Sequence, residues 1–246
     1  MQIHDVEQGS AEWAALRMGR PTASRFDCLM TSAPVYLVTA ANGEITRHRS
    51  EATAQKKVDA WTKKDIASSY VMTFERSAQG ERYMIQLLAE WATGEPGDGY
   101  ESQAMLRGTH LEAEAVDYYE MMRGEATRPV GFITNDAGAG CSPDRLSGEG
   151  GLEIKCPGPA VHMRYLLGGG ISDEYRHQVQ GCLWVSGLAW WDTLSYHPDM
   201  PGALRRELPD PEWQAQFAPI FAAFADEMEA KRETLRGMGL KAWGDR

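Results

Sequence analysis

The stretch from Arg107 to Pro198 changes its hydrophobic period in an order that few folds accommodate. "RGTHLEAEAVDYYEMMRG" has a helical repeat, with Ala115, Val116, Tyr119 and Met122 on one face and Gly124 as its stop. Three short extended segments follow, "RPVGFIT", "AGCSPDRL" and "GLEIKCP", separated by the turn-formers "NDAG" and "SGEGG". An amphipathic helix, "SDEYRHQVQGCLWVSG", and a strand-like "AWWDTLSYHP" complete the series. The order is helix, three strands, helix, strand, which predicts an α/β (α+β) core over about 105–200.

The remainder reads as additions to that core. Ser10 caps a short helix holding Trp13 and Leu16, ended by Gly19 and Pro21, and Thr22 or Ser24 opens a second through Phe26 and Leu29. Residues 31–68 are polar and weakly patterned, so they read as an insertion with some helix near 51–65. A helix at about 77–93 is stopped by Gly94 and Pro96, and a final helix spans about 210–238. With no repeat and no long linker, one domain over 1–246 is expected.

Composition narrows the function classes. At 43% hydrophobic and 24% charged the chain is of ordinary globular type, and "GCLWVSGLAWW", its most apolar run, is too short to span a bilayer. "MQIHDVEQGS" lacks the features of a secretory leader, so a cytoplasmic protein that makes no membrane contact is expected. Four scattered cysteines argue against a disulfide framework. The net charge of −10 opposes non-specific binding of nucleic acid. The charge is uneven, however: residues 1–64 hold nine Lys/Arg against seven Asp/Glu, and the rest sixteen against twenty-eight. An anion-binding surface should therefore draw on the N-terminal quarter.

The chemistry concentrates in "GCSPDRLSGEGGLEIKCP". Alternation along a strand sends Glu153 and Lys155 to one face and Leu152, Ile154 and Cys156 into the core, while the "SGEGG" turn folds Asp144 back beside the charged pair. Converging carboxylates with no His or Cys partner suit Mg²⁺ or Mn²⁺, and a lysine alongside suits attack on a phosphodiester. The same spacing also fits an ordinary same-face pair and a turn after Pro143. Glu112 shares a helix face with Ala115, Val116 and Tyr119, toward the core, yet Thr109 and Glu112 also form a capping-box pattern. Tyr175 and Gln178, at i and i+3, can face the same site or be structural. A zinc site from Cys141, Cys156, Cys182, His162 and His177 lacks ligand-pair spacing, and Trp184, Trp190 and Trp191 read as core.

Together, "VEQGSAEWAALRMGRPTAS", "LLAEWATGE", "RGTHLEAEA", "GCSPDRL…GLEIKCP" and "EYRHQVQGCLWVSG" resemble, in order and across most of the chain, the PD-(D/E)XK nucleases of the lambda exonuclease type, the YqaJ-like viral recombinase family. The resemblance implies a restriction-endonuclease-like αβββαβ core with a mixed central sheet. It implies Asp144 and Glu153 as metal ligands with Glu112 and the Ile154 carbonyl, Lys155 as the catalytic lysine, and Tyr175 and Gln178 in the active site. Arg17, Ser24 and Ser142 match a pocket for the 5′-phosphate of DNA. A further family arginine has no match here, where Val161 stands with His162 and Arg164 beside it. The implied protein is a Mg²⁺-dependent 5′-to-3′ exonuclease of phage or prophage recombination. It acts on double-stranded DNA ends as a homotrimer and hands 3′ strands to a single-strand annealing protein. Alternatives are a nuclease of other polarity, an endonuclease, a RecB-like repair nuclease, or a non-catalytic DNA-binding protein on the same fold.

Overall fold

Backbone hydrogen bonding arranges the chain as β1 (Gln2–His4), α1 (Ala11–Arg17), α2 (Phe26–Met30), β2 (Ser32–Ala40), β3 (Ile45–His48), α3 (Glu51–Thr62), β4 (Ser68–Arg76), α4 (Ala78–Thr93) and α5 (Gln103–Arg123). There follow β5 (Phe132–Thr134), β6 (Gly140–Cys141), β7 (Arg145–Ser147), β8 (Gly150–Lys155), α6 (Pro159–Gly168), α7 (Arg176–Ser186), β9 (Trp190–His197), β10 (Met200–Glu207) and α8 (Pro211–Gly237). This computed structural model describes residues 1–30, 32–97, 103–171 and 173–245. The chain divides into two compact units, one of residues 1–27 with 84–246 and one of residues 28–83.

The larger unit holds two sheets. Strands β1, β5 and β6 form an antiparallel sheet in the order β1-β5-β6, and a mixed sheet runs β10-β9-β8-β7. In the mixed sheet β8 and β9 are parallel, and β7 and β10 flank them antiparallel. The expected helix, three strands, helix, strand order is present, with two departures. The predicted segment "AGCSPDRL" is split, because Ser142-Pro143-Asp144 leaves the first sheet after β6 and enters the second at β7. A helix, α6, also stands between β8 and α7, and its signal was Pro159 at the first helical turn after Gly158.

Helix α5 covers one face of the mixed sheet. Ala115, Val116 and Tyr119 pack on Leu152, Ile154, Cys156, Leu194 and Tyr196, as the alternation along β8 predicts. Met122, expected on the same helix face, is instead 46% exposed. Helix α7 runs on the side of Glu153, and α8 buries Phe217, Phe221, Phe224 and Met228 along a single stripe. Trp184 closes the α7 and α8 packing against Phe217 and Phe221, with ring centroids 5.5 and 4.8 Å away.

The smaller unit corrects the reading of an unpatterned insertion. Its helix is α3, within the expected span and capped by Ser50, but three strands accompany it in the order β3-β2-β4. Val38 and Ala40 of β2 pack on Ala54 and Trp61 of α3, with Val58, Ile66 and Tyr70 around them. The strands escape pattern reading because β2 buries Val35 on one face and Val38 on the other, so "VYLV" shows no alternation.

Candidate active site

The turn after β7 contains Gly148 at φ +52° and brings Arg145 opposite Leu152. Asp144 therefore falls opposite Glu153, with its N–H on the Leu152 carbonyl at 3.1 Å. Gly150 and Gly151 are dictated by their neighbours in β9: a Cβ there would lie 2.2 Å from the Trp190 ring and 2.3 Å from the Trp191 ring. The two glycines thus let β8 lie against two tryptophans and fix where Glu153 emerges.

Four side chains meet on the α7 side of β8. Glu153 is 5% exposed, and its Oε1 accepts from Lys155 Nζ at 2.6 Å and from Gln178 Nε2 at 2.7 Å. Its other oxygen, Oε2, is buried and has no hydrogen-bond partner among the described residues. Lys155 Nζ lies 5.1 Å from the centroid of the Tyr175 ring. Asp144 Oδ2 accepts from the Ile154 N–H at 2.5 Å, while the Ile154 side chain points into the α5-facing core. Glu112 is half-buried on α5, close enough for its charge to act on Asp144. The capping-box reading of Glu112 fails, since α5 begins at Gln103 and position 109 lies well inside it. The Thr109 side chain itself lies outside the described residues.

The site carries more negative charge than its donors neutralise. Burial and the Glu153 carboxylate hold Asp144 well above the usual carboxylate range, against the pull of the Ile154 N–H and Lys155. Burial also depresses Lys155, but Glu153 and Asp144 outweigh it and keep the ammonium above its ordinary value. Cys156 is pushed up to about 11 by burial and the Asp144 charge. Two adjacent carboxylates, an orphaned buried oxygen and a third carboxylate nearby match the donor preferences of a hard divalent cation. Among the described residues no three His, Cys, Asp or Glu side chains are already gathered about one point. In this arrangement Lys155 and Gln178 hold Glu153 Oε1.

A second feature lies beside this one. A cavity of about 110 Å³ is lined by Arg17, Thr22, Ser24, Ser142 and Gln178, with Cys141 and Cys182 in its wall. Gln178 therefore belongs both to the cavity and to the carboxylate cluster. Arg17 Nη1 donates to Ser142 Oγ at 3.1 Å, and the exposed Ser24 sits 3.4 Å from Thr22 Oγ1. The three residues predicted for a phosphate pocket are thus brought together around one cavity. The backbone around Ser24 is a single 3₁₀ turn, Ala23–Arg25, ahead of the short α2, so the donors here are side chains. Sequence reading missed Thr22 as a lining residue and Trp13 as a neighbour of Ser142. Trp13 is one turn before Arg17 on the same helix face, which was its only signal.

The other candidates separate. Fully buried His162 holds Ser195 Oγ at 2.7 Å and the Pro201 carbonyl at 2.9 Å, which is a structural role. Arg164 is exposed on α6, Val161 packs on Tyr165, Ile171 and Ala203, and neither lines the cavity. Cys141 and Cys182 are neighbours, but Cys156 belongs to the α5-facing core and His177 stacks edge-on against Trp213 at 4.9 Å, so no zinc cluster forms from them. Trp191 is fully buried, and Trp190 lies under the Arg206 guanidinium at 3.4 Å.

Comparison with known proteins bears on the family and the fold. None of the proteins with curated descriptions matches the sequence. Among solved structures, the alkaline exonuclease LHK-Exo from Laribacter hongkongensis, also solved in complex with dAMP, superposes with a TM-score of 0.70 at 28% identity, covering 94% of this chain and 98% of its own. A phage-related exonuclease from Haemophilus somnus 129PT shares the fold, with a TM-score of 0.58 at 11% identity, covering 90% of this chain and 99% of its own. Residues 12–189 match the YqaJ-like viral recombinase domain. With its PD-(D/E)XK fold, its carboxylate hairpin and this match across both, the chain belongs to the YqaJ-like viral recombinase family of lambda-exonuclease-type nucleases.

Proposed function

We propose that the protein is a Mg²⁺-dependent exonuclease that degrades double-stranded DNA from 5′ ends. The observation that carries this reading is the sharing of Gln178 between the Asp144 and Glu153 cluster and the cavity of Arg17, Ser24 and Ser142. An anion held in that cavity lies next to the charged hairpin, so a 5′-terminal phosphate there delivers the following phosphodiester to the carboxylates. Hydrolysis adds water across the P–O3′ bond, releasing a 5′-mononucleotide and leaving a new 5′-phosphate to enter the same cavity. The dAMP bound to LHK-Exo is a mononucleotide of that kind.

Mg²⁺, or Mn²⁺ in its place, held by Glu112, Asp144, Glu153 and the Ile154 carbonyl, supplies Lewis acidity at the phosphate and lowers the pKa of water. The chain's own groups do the rest. Lys155 enters as an ammonium, because Glu153 and Asp144 keep its proton on, so it donates hydrogen bonds and takes up charge on the phosphate. Gln178 and the Tyr175 ring hold Glu153 and Lys155 in place from the α7 side. The family resemblance extends the proposal to a homotrimer around the duplex and to a single-strand annealing protein as recipient of the 3′ strand. A bacterial cytoplasm suits the four free cysteines.

The test incubates the protein and its Lys155→Ala variant with Mg²⁺ and three substrates: linear duplex with 5′-phosphate, linear duplex with 5′-hydroxyl, and closed circular duplex. The expected result is fast loss of the phosphorylated linear duplex, slow loss of the hydroxyl form, intact circles and an inactive variant. Cleavage of circles overturns the exonuclease reading. Full activity in the variant overturns the role of Lys155.

A further inference from the structure

Resting on that reading of the cavity, we infer that Trp13 is a positioning residue for 5′-phosphate recognition, one that sets Ser142 as a hydrogen-bond donor toward the bound phosphate. Trp13 does not line the cavity; it stands behind two residues that do. Helix α1 is capped by Ser10, whose Oγ accepts from the Trp13 N–H at 3.2 Å, and its repeat places Trp13 and Arg17 on one face. The Arg17 guanidinium carbon lies 4.3 Å from the Trp13 ring centroid and 5.8 Å from that of Phe132. A guanidinium stacked in this way keeps its planar fork in one orientation.

The decisive contacts are at Ser142. Its Oγ accepts from the Trp13 indole Nε1–H at 3.0 Å and from Arg17 Nη1 at 3.1 Å. A serine hydroxyl has two acceptor lone pairs and one O–H. Both lone pairs receive donors that cannot reverse, because indole and guanidinium nitrogens only donate. The hydroxyl must then act outward as a donor, and Ser142 lines the cavity. An anion accepts such a bond, and a group that needs to donate is refused. The indole Nε1–H is shared with the Gly131 carbonyl at 3.1 Å, which anchors the ring to the segment leading into β5.

Trp13→Phe keeps an aromatic surface beneath Arg17 and removes the indole N–H. One of the two fixed donors to Ser142 Oγ is then gone, so its O–H is no longer held outward and is free to rotate. The test measures kcat and KM on linear duplexes with 5′-phosphate and with 5′-hydroxyl for the wild type, Trp13→Phe, Ser142→Ala and the double variant, with thermal melting of each. The expected result is a KM on phosphorylated ends raised about fivefold in Trp13→Phe, the size of one lost hydrogen bond, and a preference for phosphate over hydroxyl reduced by the same factor. The double variant should be no worse than Ser142→Ala alone, because the two changes remove one interaction. A wild type with no preference for phosphate overturns the pocket reading and this inference with it. If the wild type and Ser142→Ala show the preference and its loss, and Trp13→Phe either keeps the preference or lowers both substrates equally with a reduced melting temperature, this inference alone falls.

Discussion

Two buried carboxylates sit one strand apart on opposite faces of the same sheet, and they are treated oppositely. Asp192 on β9 pairs in register with Leu152, on the α5 face, and is fully buried. Arg206 donates to it through Nε at 2.7 Å and Nη2 at 2.8 Å, Arg123 through Nε at 3.1 Å and Nη2 at 2.8 Å, and Tyr119 through its hydroxyl at 2.8 Å. Glu153, on the α7 face, has one oxygen shared by Lys155 and Gln178, one with no partner among the described residues, and a second carboxylate beside it. A carboxylate with a full shell of donors has nothing left to bind and serves the fold. A carboxylate left short of donors costs stability and keeps a capacity for a ligand.

The sharpest way to test that contrast is to remove one charged partner from each centre, the lysine from one and the carboxylate from the other. Lys155→Ala should lower turnover of linear duplex by about 10³-fold, the scale of a lost charge-stabilising group, while the protein still melts cooperatively. Asp192→Ala should cost about 1–3 kcal/mol, because the buried Tyr119 hydroxyl loses its acceptor while the half-exposed Arg123 and Arg206 lose their shared counter-charge to solvent, and denaturant unfolding measures it. If Asp192→Ala proves as stable as the wild type, or Lys155→Ala fails to fold, the division of labour between the two centres is wrong.

Asp144→Asn sharpens the comparison from the other side. Burial and Glu153 raise the Asp144 pKa in the fold above its ordinary value of 3.8, so its protonated form is the one the fold favours. Its contribution is fully present below that ordinary value and is lost as pH rises through the folded pKa. The metal-free wild type should therefore lose stability as pH climbs through that window. The asparagine variant should lack that slope and melt about 3 °C higher at neutral pH while being inactive. Added Mg²⁺ should raise the melting temperature of the wild type and leave the variant unmoved, which reads the cation site without using activity. The smallest effect belongs to the ring beneath Lys155. Tyr175→Ala should cost about tenfold in rate and Tyr175→Phe about threefold or less, since the phenylalanine keeps the aromatic face.

Legibility in the sequence followed the range of the interactions involved. The alternation that puts Glu153 and Lys155 on one side of β8 is local, and so is the turn that returns Asp144. Both are found as read. The helix α3 was expected within the weakly patterned segment, but its three partner strands were not, because β2 buries valines on both faces while Ile45, Val71 and Met72 of its neighbours stand exposed, so no strand shows apolar residues on one face only. The capping pattern at Thr109 and Glu112 misled, since a local motif does not reveal that the helix starts earlier. Asp192 in "AWWDTLSYHP" gave no sign of its importance, for its partners lie 14, 69 and 73 residues away.

The sequence by itself determined the order of elements in the core and the charged face of β8, because those depend on periodicity and on motif spacing, while the set of pocket residues came from the family resemblance. Only the tertiary structure decided how charge is distributed among them. It set Ser142 and Asp144 on either side of one proline in the connection between two sheets, placed Gln178 between two sites, and gave Asp192 its donors while leaving Glu153 Oε2 without one among the described residues. The reason is that hydrogen-bond saturation is a sum over neighbours that only folding brings together, and a carboxylate's role follows from that sum.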